Sequence, residues 1–110
     1  MLIWLENLIL FLGLCQNVPT LDLKPKFLES ANDGNLQMLA CLLNFGVDVN
    51  AKSLDGYTAL IKASINGNTE LIEFLIENGA DINATTKHGF TALLYAAKMG
   101  HYAAIGKSNF

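Results

Sequence analysis

Residues 55–87 read DGYTALIKASINGNTELIEFLIENGADINATTK, and this stretch decides the fold because parts of it occur again along the chain. Residues 88–103, HGFTALLYAAKMGHYA, repeat its first half with similar side chains. Three glycines keep the same interval of 33 residues: Gly34, Gly67 and Gly100. A fixed period between about 20 and 50 residues is typical of stacked supersecondary units, which bury their apolar faces against one another.

The apolar residues of each unit follow the spacing of two successive helices. In the first unit, the spacing predicts helices at about 25–32 and 36–44. Asn35 and Asn68 stand where the second helix of a unit begins, so their side chains are expected to cap the free amides there. Each unit is therefore predicted to be a helix, a short turn and a second helix, followed by a polar loop.

Composition limits the classes of protein that this chain can belong to. Its 110 residues allow one domain, and 52% hydrophobic against 15% charged residues argues against disorder. The net charge of −3 gives no indication of a general affinity for nucleic acid or anionic lipid. Cys15 and Cys41 form no CxxC motif, so reduced thiols in the cytoplasm are expected, with Cys41 partly buried in an apolar helix.

These residues resemble the ankyrin repeat, whose pattern is roughly D-G-x-T-P-L-H-x-A-A-x-x-G-H, an apolar helix, and then G-A-D-V-N-A. Residues 55–87 match this pattern over their full length, and the resemblance covers about residues 24–105. It implies an all-α, ankyrin-like helix-turn-helix solenoid with projecting β-turn loops. The ankyrin repeat domain is expected over 24–110, with units at about 24–54, 55–87 and 88–110.

Two positions of the repeat depart from the family pattern. Ala59 and Ala92 replace the proline of the Thr-Pro-Leu-His motif, and Ile61 and Leu94 replace its histidine. In the family that histidine helps to tie neighbouring loops through hydrogen bonds. Its loss predicts less tightly ordered loops and lower stability.

The last unit departs more strongly, because its second helix should be apolar and the chain instead reads GKSNF over 106–110. This polar stretch is either a simple solvent-facing cap or the sign of a truncated array, and we favour truncation. In both cases the stack is expected to be only marginally stable, since the interfaces between units supply most of its free energy.

The N-terminal residues 1–15, MLIWLENLILFLGLC, are almost entirely apolar, and residues 16–23 are expected to form a linker. As a helix, 15 residues span about 22 Å, which is short for a bilayer crossing of roughly 20 residues. A hydrophobic helix that packs on the first unit is the favoured interpretation. A secretory signal or membrane anchor, and a remnant of a longer chain, are the alternatives.

No motif for catalysis, cofactor binding or metal binding is present. His88 and His101 have no cysteine, carboxylate or second histidine at metal-ligand spacing, and His101 occupies the structural Gly-His place of the repeat. Neither a phosphate-binding glycine loop nor a nucleophile motif occurs in the chain. We therefore expect a protein that is not an enzyme and has no cofactor.

The resemblance implies that a partner binds the loop tips and the inner face of the first helix of each unit. The matching positions of the second and third units are Tyr57, Lys62, Asn66, His88, Phe90, Tyr95 and Met99. Tyr57 and Phe90 share one repeat position, so they are expected to stand in a row as exposed aromatic anchors. Glu73, with its neighbours on the second helix, is expected to be a solvated outer face.

These observations predict a non-catalytic protein-protein interaction module whose partner is another protein rather than nucleic acid. A cytoplasmic location is favoured. The alternatives are a secreted or membrane-associated ankyrin effector that uses residues 1–15 as signal or anchor, and a fragment of a longer ankyrin protein. Cleavage near residue 15, or membrane partitioning on cell fractionation, would distinguish the effector.

Overall fold

The computed structural model describes residues 23–107, and these residues form six helices with no strand. The helices are α1 (Lys24–Asp33), α2 (Leu36–Asn44), α3 (Ala59–Asn66), α4 (Thr69–Glu77), α5 (Ala92–Lys98) and α6 (Tyr102–Lys107). The predicted all-α solenoid of helix-turn-helix units is confirmed. The hydrophobic helix predicted for residues 1–15, and the linker apart from Leu23, lie outside the described residues.

Side-chain caps begin four of these helices. Asn35 and Asn68 cap α2 and α4, while Thr58 and Thr91 cap α3 and α5; each side-chain oxygen accepts a hydrogen bond from the amide three residues later. Each such cap contributes about 1 kcal/mol, because it satisfies an amide that the helix itself leaves free. The capping role predicted for Asn35 and Asn68 is confirmed.

The core runs between the two helix layers, and α3 lies at its centre in contact with α1, α4 and α5. Small side chains let the first helices of neighbouring units approach closely: Ala31, Ala63, Ser64 and Ala96 are all fully buried. Larger side chains fill the second layer: Leu39, Leu42, Leu71, Ile72 and Leu75. Each unit therefore depends on its neighbour for burial, as the repeat pattern predicts.

The loops are tied to one another in spite of the missing histidine. The Asn50 side chain reaches the next unit, where its Nδ2 donates to the Gly79 carbonyl at 3.2 Å and its Oδ1 accepts from the Asp81 amide at 2.6 Å. The Lys87 amide donates to the Asp55 carbonyl at 2.9 Å. The prediction of loosely ordered loops is therefore wrong, because Asn50 and the loop backbone supply the ties.

His101 has the structural role that its place in the repeat predicts. Its Nε2 lies 2.8 Å from the Ile65 carbonyl, and its ring lies against Gly67, the left-handed residue that ends α3 with φ of 69°. A Cβ on Gly67 would come within 2.5 Å of the His101 Nδ1. The glycine is thus required both by its backbone conformation and by the close approach of this ring.

Cys41 lies on the inner side of α2, where it is 2% exposed. Its sulfur is disulfide-bonded. The expectation that Cys41 is a partly buried free thiol is therefore wrong, because an apolar helical context predicts burial but says nothing about the oxidation state of the sulfur.

Candidate functional site

Three aromatic rings from two neighbouring units meet on the side of the molecule that carries the loop tips. We call Tyr57, Phe90 and Tyr95 the aromatic cluster. The ring centroids of Tyr57 and Tyr95 are 6.0 Å apart, and those of Phe90 and Tyr95 are 5.5 Å apart, both pairs tilted. These distances and tilted orientations are the ones that aromatic pairs prefer. The cluster joins the second unit to the third.

The loop tips hold two of these rings in equivalent positions. The Ser53 hydroxyl accepts a hydrogen bond from the Tyr57 amide, and the Thr86 hydroxyl accepts one from the Phe90 amide. The backbone amides of Ser53 and Thr86 donate in return to the Tyr57 and Phe90 carbonyls, each at 3.0 Å. The same hydroxyl-bearing turn therefore places a ring at the same position of both units, as the shared repeat position predicts.

A short chain of hydroxyl groups links the buried part of the cluster. The hydroxyl oxygens of Tyr95 and Tyr57 are hydrogen-bonded at 3.3 Å, and the Thr86 Oγ1 lies 3.5 Å from the Tyr95 hydroxyl oxygen. Hydrogen bonding to Tyr95 raises the pKa of Tyr57. The pKa of Tyr95 is lowered, first by its hydrogen bond with Thr86 and then by that with Tyr57.

Two lysines lie over the accessible rings. The Lys62 Nζ is 5.3 Å from the Tyr57 ring centroid, and the Lys98 Nζ is 5.6 Å from that of Phe90. Such cation–π contacts contribute about 0.5–1 kcal/mol at exposed sites. Within residues 23–107 neither amine forms an ion pair with a carboxylate. We call Lys62 and Lys98 the lysine pair.

Exposure separates the rings that can contact a partner from the ring that supports them. Phe90 is 38% exposed and Tyr57 is half-buried, whereas Tyr95 is only 7% exposed. The sequence treats all three as candidate contact residues. The structure shows that Tyr95 offers little accessible surface, because α5 directs it between the other two rings and towards Thr86.

The remaining predicted residues lie on the surface, and their side chains are not part of the aromatic cluster. The Asn66 Nδ2 donates to the Asn32 carbonyl at 2.8 Å, which ties the inner helices of the first two units. His88 is exposed in the turn before Phe90, and Met99 is 48% exposed at the end of α5.

Sequence reasoning missed two members of this site, Thr86 and Lys98. The signal for Thr86 is the hydroxyl-bearing residue that recurs at Ser53 and Thr86, 33 residues apart. Lys98 has no such signal, because the equivalent residue of the second unit is Ile65. Its contact with Phe90 depends on the packing of α5.

No group of three or more His, Cys, Asp or Glu side chains in residues 23–107 is placed to hold a metal ion. None of the helices described there has the length and apolar character needed to traverse a bilayer.

The stacked helix pairs, the loop tips and the left-handed glycines together define a helical repeat protein. The family model of ankyrin repeats matches residues 27–106 with three copies. The chain belongs to the ankyrin repeat family. Members of this family are in general protein-protein interaction modules and are typically not catalytic. A search of curated proteins finds no significant match to the chain.

Proposed function

We propose that this chain is a non-catalytic protein-binding module that holds another protein on the loop tips and inner helix faces of its second and third units. The observation that supports this most directly is the aromatic cluster, in which Phe90 and part of Tyr57 face solvent on a rigid support. Aromatic side chains that are held in place lose little conformational entropy on binding, and they are enriched at protein interfaces.

The contact residues that we propose are those of the sequence prediction together with Lys98. Tyr57, Phe90 and Lys62 form the centre of the surface, and Asn66, His88 and Met99 form its edge. Tyr95 contributes mainly by supporting the two rings beside it.

The experiment is capture of a partner with the full 110-residue chain, followed by titration of variants against that partner. Phe90→Ala should weaken binding by at least about 1 kcal/mol, the level that marks a minority of interface residues. Tyr57→Ala should weaken it as well, but Tyr57 also packs on the core, so circular dichroism and a denaturation curve must accompany its titration.

Glu73→Ala provides the matched control, because Glu73 is exposed on α4, the second helix of its unit. It should leave both affinity and stability unchanged. If Glu73→Ala weakens binding and Phe90→Ala does not, the partner lies on the second helices and the proposed surface is wrong.

One observation favours the secreted alternative as a second candidate. Cys41 is disulfide-bonded, and disulfides persist mainly in oxidising compartments. Alkylation in denaturant and without reductant, of the protein isolated from its native cells, followed by mass spectrometry, tests this; the denaturant exposes Cys41, which is buried in the fold. An alkylated Cys41 would support the cytoplasmic location, and a protected Cys41 would support secretion.

A further inference from the structure

We propose that the partner segment bound by this surface is an acidic peptide, whose carboxylates pair with Lys62 and Lys98 while an apolar side chain lies on Phe90. This inference rests on the protein-binding function proposed above and names the chemistry of the partner. It starts from the two amines, which lie over aromatic rings and have no carboxylate partner in residues 23–107.

Charge is distributed unequally along the second and third units. Three glutamates, Glu70, Glu73 and Glu77, belong to α4, and Asp81 follows in the next loop. From residue 82 to residue 110 the chain has no acidic side chain. The chain after Asp81 is therefore basic, although the whole chain has a net charge of −3.

Asp55 is the one carboxylate that acts on the aromatic cluster, where its charge makes the smallest contribution to the raised pKa of Tyr57. Its backbone carbonyl is bonded to the Lys87 amide of the next loop. Two amines, those of Lys62 and Lys98, lie over rings of the same cluster, so among the described residues more amines than carboxylates act on it.

The rings place the two amines before any partner arrives. A lysine over an aromatic face has fewer accessible rotamers than one in free solvent, so less entropy is lost when a carboxylate binds it. The partly exposed Phe90 ring beneath Lys98 offers apolar area that the amines alone lack. A peptide with alternating acidic and apolar residues matches both features.

Nucleic acid fits this surface less well, although it is also anionic. Binding to a phosphate backbone depends on many simultaneous lysine or arginine contacts. This surface offers the two amines of the lysine pair, and α4 of the second unit carries three glutamates. We therefore assign the surface to a carboxylate-bearing peptide rather than to RNA or DNA.

The experiment uses the full chain and three fluorescein-labelled probes: a short peptide of alternating Glu and Leu, the same peptide with Lys for Glu, and a single-stranded RNA. Fluorescence anisotropy should show saturable binding of the acidic peptide alone, weakened as salt is raised. Lys62→Gln and Lys98→Gln should each weaken this binding roughly two- to fivefold, the effect of one exposed ion pair.

Matched variants distinguish the effect of losing the positive charge from an effect of the substitution on folding. Lys62→Arg and Lys98→Arg should retain binding, because arginine keeps the charge and also stacks on aromatic rings. Lys52→Gln should have no effect, because Lys52 is exposed on the first long loop and has no ring contact. If Lys52→Gln weakens binding as much as Lys62→Gln, the attraction is unspecific and the assignment is wrong.

Failure of this inference differs from failure of the proposed function. If the RNA binds more tightly than the acidic peptide, or if no peptide binds, the acidic partner is excluded. A captured protein whose affinity falls with Phe90→Ala but not with Lys62→Gln and Lys98→Gln would overturn the inference and leave the protein-binding function intact.

Discussion

The second and third units have nearly the same sequence in their first helices, yet their side chains are buried to very different extents. Leu60 and Ile61 of α3 are each 1% exposed. The residues 33 positions later, Leu93 and Leu94 of α5, are 37% and 47% exposed. The local pattern is equivalent in both helices, so the pattern alone does not determine burial.

The presence or absence of a neighbouring unit explains why α3 is more deeply buried than α5. Helix α3 has α1 on one side and α5 on the other, whereas α5 contacts α3 and has no further unit beyond it in residues 23–107. The second helix of the third unit is also short: α6 has six residues where α4 has nine. The contrast shows that burial of equivalent residues depends on the neighbouring unit, and such interfaces supply most of the stability in stacked repeats.

The largest expected effect is a difference in the free energy of unfolding between variants of two equivalent leucines, Leu60 and Leu93. Leu60→Ala should destabilise the protein by about 2–5 kcal/mol, because it removes a fully buried side chain and leaves a cavity. Leu93→Ala should cost well under half of that loss, because its side chain is already partly in water. Urea denaturation of both variants measures the difference, and equal losses would contradict the open third unit.

A second comparison uses the two equivalent glycines. Gly67→Ala should lower the free energy of unfolding more than Gly100→Ala does. Both residues have a left-handed backbone, with φ of 69° and 77°. The backbone conformation alone costs about 1–2 kcal/mol for a residue with a Cβ. Only at Gly67 must the methyl group also displace the His101 ring.

Thermal denaturation of both glycine variants tests this, with His101→Ala as a background that removes the ring. In the His101→Ala background, Gly67→Ala and Gly100→Ala should lower the melting temperature by the same amount. A difference that persists without the imidazole would show that the His101 contact is not its cause.

Covering the open side of α5 should stabilise the protein by a smaller amount. Fusing a regular capping unit with a polar outer face after residue 105 should bury Leu93 and Leu94. A gain of 1 kcal/mol raises the melting temperature of a domain of this size by roughly 4–8 °C. An unchanged melting temperature would indicate that this side of α5 is already covered in solution.

The smallest expected effect is a change in the pKa of Tyr57, whose equivalent in the third unit, Phe90, lacks the hydroxyl group. Tyr57 shares a hydrogen bond with Tyr95, whereas its equivalent Phe90 has no hydroxyl. Tyr95→Phe should lower the pKa of Tyr57 towards its ordinary value, since this hydrogen bond is the main cause of the raised pKa. A pH titration of phenolate absorbance in a Tyr102→Phe background measures it.

The sign of this effect follows from the raised pKa. The fold favours the neutral Tyr57 phenol, so the stabilisation from this group is present below its ordinary pKa and is lost as the pH rises through the raised value. If Tyr95→Phe instead leaves the titration of Tyr57 unchanged, desolvation rather than the hydroxyl pair raises the pKa.

The repeat made the backbone of this protein predictable. The interval between Gly34, Gly67 and Gly100, the helical spacing and the caps at Asn35 and Asn68 are local properties, and all of them appear in the structure. The candidate site was predictable to the extent that it repeats. Tyr57 and Phe90 occupy equivalent turns, but Lys98 contacts Phe90 from a position whose equivalent in the second unit is Ile65.

The sequence by itself determined the period, the helix boundaries, the turn glycines and the ankyrin family, because each depends on residues that are close together in the chain. Only the tertiary structure decided which equivalent residues are buried, which loops are tied by Asn50, and that Tyr95 lies beneath two rings from neighbouring loops. These features depend on contacts between residues about one repeat apart in the chain, and such contacts form only when the units stack.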